Sequence, residues 1–370
     1  MAKTLRLFIA IVITLFGVAV IAAISSRVTS NDYVEYWSSG RLFLHGSNPY
    51  SASGVLAIEK SQGFLLDAPL IMLNPPWALI LVAPLGFCSS FGGLILWILL
   101  SAGCIVASIL LLEVPPKYRI IAFLFTPVIG TFSMQQSSPF LLLGFSLFLR
   151  LHRRSPFGAG VSLFLMAIKP HLFLVFWTVL LVDSIYRRRF TILAGLAAAL
   201  ICVSALVTLI SPHVWQDYLA LMRGSALDQN FYPTLPTLFR VLIDVKLSWL
   251  ALVPALLAIV WGMAYFWRNR KAWDWQQHGM PVMLATILTS PYSWISDQLV
   301  VLPALTSALS STRNKWALEI LAVINFAALA LVSVRSQLCM WIPMAWLAWY
   351  LYATYETEPV HSDADALAIE

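Results

Sequence analysis

The chain has 370 residues, 60% of them hydrophobic and 11% charged, against roughly 25% charged in a soluble protein of this size. That composition excludes an ordinary soluble enzyme and fits an all-α polytopic membrane protein, several of whose apolar runs are long enough to span a bilayer. The net charge of +6 does not point to nucleic acid. The basic residues sit in short clusters between apolar runs: Lys3 and Arg6; Lys117 and Arg119; Arg150, Arg153 and Arg154; Arg187, Arg188 and Arg189; Arg268, Arg270 and Lys271; Arg313 and Lys315. That is the pattern of the positive-inside rule.

The first apolar run, Leu5–Ile24, has a basic flank and no convincing cleavage site around Ser25–Ser26. It reads as an uncleaved first helix with its N-terminus inside. The polar, aromatic stretch Thr29–Asn74 is then external. Two short amphipathic helices are expected in it, near Asp32–Leu44 and Ser51–Leu66, separated by the turn Gly46-Ser47-Asn48-Pro49. In the first, Tyr33, Trp37 and Leu44 can lie at the membrane interface while Asp32, Glu35 and Arg41 face water or a cavity.

Asn74-Pro75-Pro76-Trp77 restarts the chain into the membrane, with Pro where a helix's first N–H is unpaired anyway. Trp77–Phe87 is short and Phe91–Leu112 is full length. Next come halves broken at polar residues. Ile120–Phe132 and Phe140–Leu151 flank Gln135-Gln136-Ser137-Ser138-Pro139. Phe157–Ile168 and Leu172–Val182 flank Lys169-Pro170-His171. Met280–Thr289 and Leu299–Leu309 flank the run from Ser290-Pro291-Tyr292 to Asp297. Each half is roughly 10–13 residues, short of the ~20 a span needs. Non-helical backbone at membrane depth survives only where protein or a water-filled cavity satisfies it, so these breaks should line a cavity.

Full-length runs fill the rest: Ile192–Ile210, Trp249–Trp267, Trp316–Val334 and Leu338–Tyr352. Placing every basic cluster inside puts Asp32, Gln136, Lys169, the Pro212–Lys246 loop and Asp297 all on the outer side. The count is about 12 spans with both termini inside. Residues 1–354 read as a single transmembrane domain with external loops 25–75 and 212–246, and 355–370 as a short acidic cytoplasmic tail.

Asp32 can be a general base that takes a proton from an acceptor hydroxyl. It can equally be a helix N-cap, with Glu35 completing a capping box, or both. Lys169 interrupts an apolar segment, where a charge costs about 2.5–3.5 kcal/mol at bilayer centre. It is either a phosphate partner facing a cavity or the wet tip of a hairpin. Asp297 could orient a sugar hydroxyl, pair with Lys169 or sit in a wet loop. Gln136 could bond a sugar or cap the following helix. Arg223, Asp228, Arg240 and Asp244 could bind substrate, but each alone reads more readily as a solvated loop residue. Cys88, Cys104, Cys202 and Cys339 lie in or beside apolar runs, without CxxC pairing or His at ligand spacing, and read as packing residues. No metal site and no cofactor are expected. There is no Walker loop, no GxGxxG, no GxSxG, no HExxH and no DxD pair near Asp32, so any donor should be lipid-borne.

Taken in order, Asn31-Asp32-Tyr33, Gly46-Ser47-Asn48-Pro49-Tyr50, Asn74-Pro75-Pro76 leading to Ala83-Pro84-Leu85, Gln136, Lys169-Pro170, and Ser290-Pro291-Tyr292-Ser293-Trp294 followed by Asp297 resemble glycosyltransferase family 87. These are the polyprenyl-phosphate-mannose-dependent mannosyltransferases of the GT-C class. One departure stands out. The family's Gly-Gln-x-Asn reads Gln135-Gln136-Ser137-Ser138 here, so only Gln136 carries over.

The resemblance implies a GT-C-like bundle and an inverting transfer of a hexose, mannose in the family, from a polyprenyl-phosphate donor. The acceptor would be a lipid or glycan hydroxyl on the outer face of the cell membrane. By that analogy Asp32 is the base, Lys169 steadies the departing phosphate, and Gln136, His171, Tyr292 and Asp297 arrange donor or acceptor. A transporter or flippase of a lipid-linked or small polar substrate is the other function that broken helices and an intramembrane lysine suit.

Overall fold

The computed structural model describes residues 32–63, 67–224, 232, 234–332 and 339–355. The expected first helix Leu5–Ile24, the basic residues Lys3 and Arg6, Asp228 and the acidic tail from 356 onward lie outside the described residues. Among the described residues there is helix and connecting backbone, and no strand.

In chain order the helices are α1 (Tyr33–Leu44), α2 (Ala52–Ser61), α3 (Leu79–Gly86), α4 (Ser90–Leu111), α5 (Pro116–Leu124), α6 (Thr126–Met134), α7 (Ser138–Leu151), α8 (Pro156–Ser162) and α9 (Phe164–Ala167). They continue as α10 (Leu174–Tyr186), α11 (Thr191–Ile210), α12 (Val214–Gly224), α13 (Leu235–Ile243), α14 (Val253–Asn269), α15 (Trp275–Leu288), α16 (Leu302–Ser311), α17 (Ala317–Val332) and α18 (Ile342–Tyr355). Short 3-10 turns at Pro76–Ala78, Pro170–Phe173, Ser248–Leu252 and Ser296–Val301 lead into α3, α10, α14 and α16. Proline stands in the first turn of most restarted helices, among them α5, α6, α7, α8 and α16, where its missing N–H costs nothing.

Among the described residues, three stretches are long and apolar enough to cross a membrane singly: α4, α11, and Ser248–Asn269, which joins a 3-10 turn to α14. A fourth is the pair Pro156–Ala167 and Pro170–Tyr186, if its two arms count as one span bent by 119°. Ile201 and Leu209 on α11, Leu257 and Val260 on α14, and Val323 and Phe326 on α17 point outward and are exposed. Their natural solvent is lipid.

Both helices of the expected external segment are present. Ser51 caps α2 by accepting from Gly54 N (3.2 Å). α2 ends at Ser61 rather than Leu66, two residues before Gly63, whose φ is +86°. The expected interfacial placement of α1 is corrected: Tyr33, Tyr36 and Trp37 are buried inside the protein. Tyr33 Oη donates to Ser90 O (2.7 Å) and Trp37 Nε1 to Cys88 O (3.2 Å). A ring with a polar tip is as well served by carbonyls at a helix entrance as by water. Gly40 and Gly86 bring the backbones of α1 and α3 into contact, since a Cβ at either would collide with backbone of the other helix.

Two further expectations are revised. Ile120–Phe132 is not one half-helix but parts of α5 and α6, parted at Phe125 (φ −60°, ψ 126°) because Pro127 follows in the next turn. Asn325 of α17 satisfies the parted backbone. Its Oδ1 accepts from Thr126 N (2.7 Å) and its Nδ2 donates to Leu124 O (2.9 Å). The Pro212–Lys246 stretch is not only loop, since it carries α12 and α13. The three expected polar breaks are all present, and they converge.

Candidate active site

The first contribution comes from the α6–α7 break. Gln135 closes α6 in the left-handed region (φ +57°), and Gln136 N donates back to Thr131 O (3.1 Å). Trp97 Nε1 of α4 donates to Gln135 O (2.8 Å). The left-handed residue reverses the chain, and Gln136 enters the interior at 5% exposure.

The second comes from the 119° bend. A residue before proline is driven out of helical backbone, and Lys169 takes φ −132°, ψ 67°. Two carbonyls at the end of α9 are met by side chains from the segment before α3. Asn74 Nδ2 donates to Ile168 O (2.9 Å) and Trp77 Nε1 to Ala167 O (2.8 Å). Tyr50 Oη in turn donates to Asn74 O (3.0 Å).

The third is the Ser290–Ile295 stretch and the 3-10 turn behind it, which holds Asp297 fully buried. Asp297 Oδ2 accepts from Trp294 N (3.0 Å), and Oδ1 accepts from Ser138 Oγ at the start of α7 (2.9 Å) and from Lys169 Nζ (2.8 Å). Lys169 Nζ also donates to Gln136 Oε1 (2.8 Å). Gln136 Nε2 donates to Asp32 Oδ2. Asp32, Gln136, Lys169 and Asp297 thus form one hydrogen-bonded line.

Asp32 directly precedes α1, but its side chain caps nothing there. Its oxygen is used by Gln136 instead, so of the two readings of this residue the capping one does not hold. Its backbone N donates to Met134 O (3.2 Å), tying the start of α1 to the end of α6.

Asp32, Gln136, Lys169, His171 and Tyr292 line one cavity, with Glu35, Asn74 and Trp294 completing its wall. Asp297 is not on that wall; it stands behind Lys169. His171 and Tyr292 meet edge to face with ring centroids 5.2 Å apart. Tyr232 packs on Tyr292 at 4.2 Å, and Trp294 Nε1 donates to Tyr292 Oη (3.2 Å). One side of the cavity is therefore ionic and the other aromatic.

Sequence reasoning gave Glu35, Ser138, Asn74 and Trp294 no role in the site. Helical spacing held the clue for Glu35, three residues after Asp32 on a helix whose other face is aromatic.

The electrostatics separate the two acids of α1. Burial pushes the pKa of Asp32 up to about 6; the Lys169 ammonium draws it down and Asp297 pushes it up. Glu35 is held well above the carboxylate range, first by burial and then by Asp32. Asp32, which Gln136 links to Lys169, is the one of the two placed to take a proton. Lys169 has three N–H donors, two of them engaged by Gln136 and Asp297. One remains for an anion in the cavity. Among the described residues no group of three or more His, Cys, Asp or Glu side chains is placed to hold a metal ion.

The family model described as glycosyltransferase family 87 matches residues 72–291, more than half of the chain. Gln136, Lys169 and His171 fall inside the matched range. Asp32, Tyr292 and Asp297 fall outside it and are brought to the same place by the fold. No curated protein and no solved structure matches the chain.

Proposed function

The chain belongs to glycosyltransferase family 87, and on that premise we propose that it is an inverting membrane hexosyltransferase. It moves mannose from a polyprenyl-phosphate donor to a hydroxyl of a lipid or glycan acceptor on the outer face of the cell membrane. The observation that carries the reading is the line Asp32–Gln136–Lys169 on one cavity wall. It sets a proton acceptor and a cation a single glutamine apart. Residues 1–354 act as one GT-C-like transmembrane unit of about 12 crossings, and no cofactor takes part.

In this reading the acceptor hydroxyl gives its proton to the Asp32 carboxylate as its oxygen attacks the anomeric carbon. The bond from that carbon to the phosphate oxygen breaks, and the electron pair leaves with polyprenyl phosphate. The third N–H of Lys169 meets the charge that grows on that oxygen, and being already in place it needs no reorganisation. Asp297 and Gln136 aim the ammonium. His171 and Tyr292 offer ring faces and edges to the sugar. The orientation is supported by the basic clusters, which gather at the opposite ends of the helices from this cavity.

The test is direct. The purified chain, in lipid, is incubated with polyprenyl-phosphate mannose and a panel of envelope lipids, and products are weighed. A gain of one hexose, absent with Asp32→Asn, supports the proposal. Movement of labelled donor across the bilayer with no transfer to any acceptor would replace it with the flippase reading.

A further inference from the structure

α7 runs away from Ser138, α10 away from the Lys169 bend, and α15 towards the Ser290 break. Their other ends meet about 20 Å away, the length of 14 helical residues. There they enclose a second cavity of about 320 Å³. His152 and Arg153 reach it from the end of α7, Asp183, Arg187 and Arg189 from the end of α10, and Asp274 from the cap of α15.

The two acids are used up in building the wall. Asp274 is held by His152 Nε2 (3.0 Å) and Arg153 Nη2 (2.9 Å). Asp183 is held by Arg187 Nε (2.8 Å) and Trp275 Nε1 (2.9 Å). Arg187 is also committed to backbone, donating through Nη2 to Trp273 O (2.8 Å). Three arginines thus stand against two aspartates, and the Arg153 side chain remains 66% exposed. Further cations, Arg154, Arg188, Arg268, Arg270 and Lys271, sit on the same turns.

Two facts point to the occupant. Paired and spare arginines around a concavity fit a phosphodiester, which a guanidinium grips through two N–H groups at once. Phe157, Ile185 and Phe190 each follow a lining residue in the chain and are each about half exposed, apolar surface that a soluble anion would not need and an acyl chain would cover. Basic pockets between membrane helices on the positively flanked side are suited to anionic headgroups.

We propose that this cavity binds the phosphate headgroup of an anionic phospholipid in the leaflet opposite the glycosyl-transfer site. Arg153 and Arg189 are its adjustable ligands, and Arg187 is the fixed strut behind them. The proposal does not depend on the sugar, donor or acceptor assigned to the first cavity.

The full chain in neutral detergent is titrated with phosphatidylglycerol, with phosphatidylcholine or with inorganic phosphate. Thermal midpoint and retained lipid mass are followed together. Phosphatidylglycerol should raise the midpoint and stay bound; the other two should do neither. Arg153→Gln with Arg189→Gln should raise the half-effective phosphatidylglycerol concentration about tenfold, the scale of a lost charged hydrogen bond. Lys315→Gln, on another basic turn, should leave it unchanged.

Arg189→Gln alone, which leaves the Asp274 wall intact, reports if the double variant does not fold. Equal protection by phosphatidylcholine, equal protection by inorganic phosphate, or no change in the Arg189 variant would each overturn the proposal. So would an equal loss in the Lys315 variant, because charge alone rather than this cavity would then explain retention.

Discussion

Lys169 and Asp297 stand 128 positions apart in the chain, yet Nζ of the one lies 2.8 Å from Oδ1 of the other. Asp297 is fully buried and Lys169 nearly so. Breaking a buried pair by removing one partner leaves the other charge uncompensated, at about 3–5 kcal/mol. Asp297→Ala is therefore expected to lower the thermal midpoint of the protein in lipid nanodiscs by several degrees. Adding Lys169→Leu should recover part of that loss. A double variant whose loss equals the sum of the two single losses would mean the pair is not coupled.

Asp32→Asn keeps the shape of the side chain and removes its basicity. Loss of a general base lowers turnover by roughly 10²–10⁴-fold. The variant should insert and fold while its rate of hexose transfer falls on that scale. Parental turnover would remove Asp32 from the chemistry.

The acid limb of the pH–rate profile should report the same group. With the pKa of Asp32 raised from 3.8 to about 6, transfer should fall tenfold per pH unit below about 6. Asp297 contributes to that rise, so Asp297→Asn should move the inflection down. Stability carries the opposite sign. A carboxyl whose pKa is raised by folding supports the fold fully below 3.8, and that support is lost as pH rises through about 6. Melting curves of Asp32→Asn should lack this decline.

Gly40 lies where α1 meets the backbone of α3, and an added Cβ would strike Val82 O. Overpacking of this kind costs about 1–3 kcal/mol. Because α1 carries Asp32 and Glu35 into the cavity, Gly40→Val should lower activity more steeply than stability. The comparison of turnover with thermal midpoint checks it.

Asn325→Leu leaves Thr126 N and Leu124 O without the side chain that meets them. Thr126 is buried, and orphaning its N–H costs about 1–3 kcal/mol. The variant should melt earlier, and amides at the α5–α6 break should exchange hydrogen faster. Unchanged exchange there would show that the break is satisfied by other means.

The polar breaks were legible because Gln136, Lys169-Pro170 and Ser290-Pro291 interrupt apolar runs at lengths too short to span. Charge placed every break on one side, opposite the basic turns, but which of them touch was not legible. The burial of Tyr33, Tyr36 and Trp37 was not legible. Hydrophobicity does not separate a protein interior from lipid or interface, and an aromatic residue with a polar tip suits all three. The different surroundings of Asp32 and Glu35 were hidden for a related reason: two acids three positions apart differ here only in what packs around them. The extra break at Phe125 had a signal, Pro127 together with a lone asparagine in the apolar run of α17. That signal becomes readable only once the two are known to touch.

The distance in sequence between Lys169 and its counterion also sets an order of events at the ribosome. At about 5–20 residues per second, the 128 positions that separate them take on the order of 10 s to synthesise. For that interval Lys169 has only Gln136 and Asp32, both made before it, and not its buried counterion. A chain interrupted before Asp297 would never acquire that counterion. The ion pair is thus also a completion mark: only a chain translated past its last break can form it.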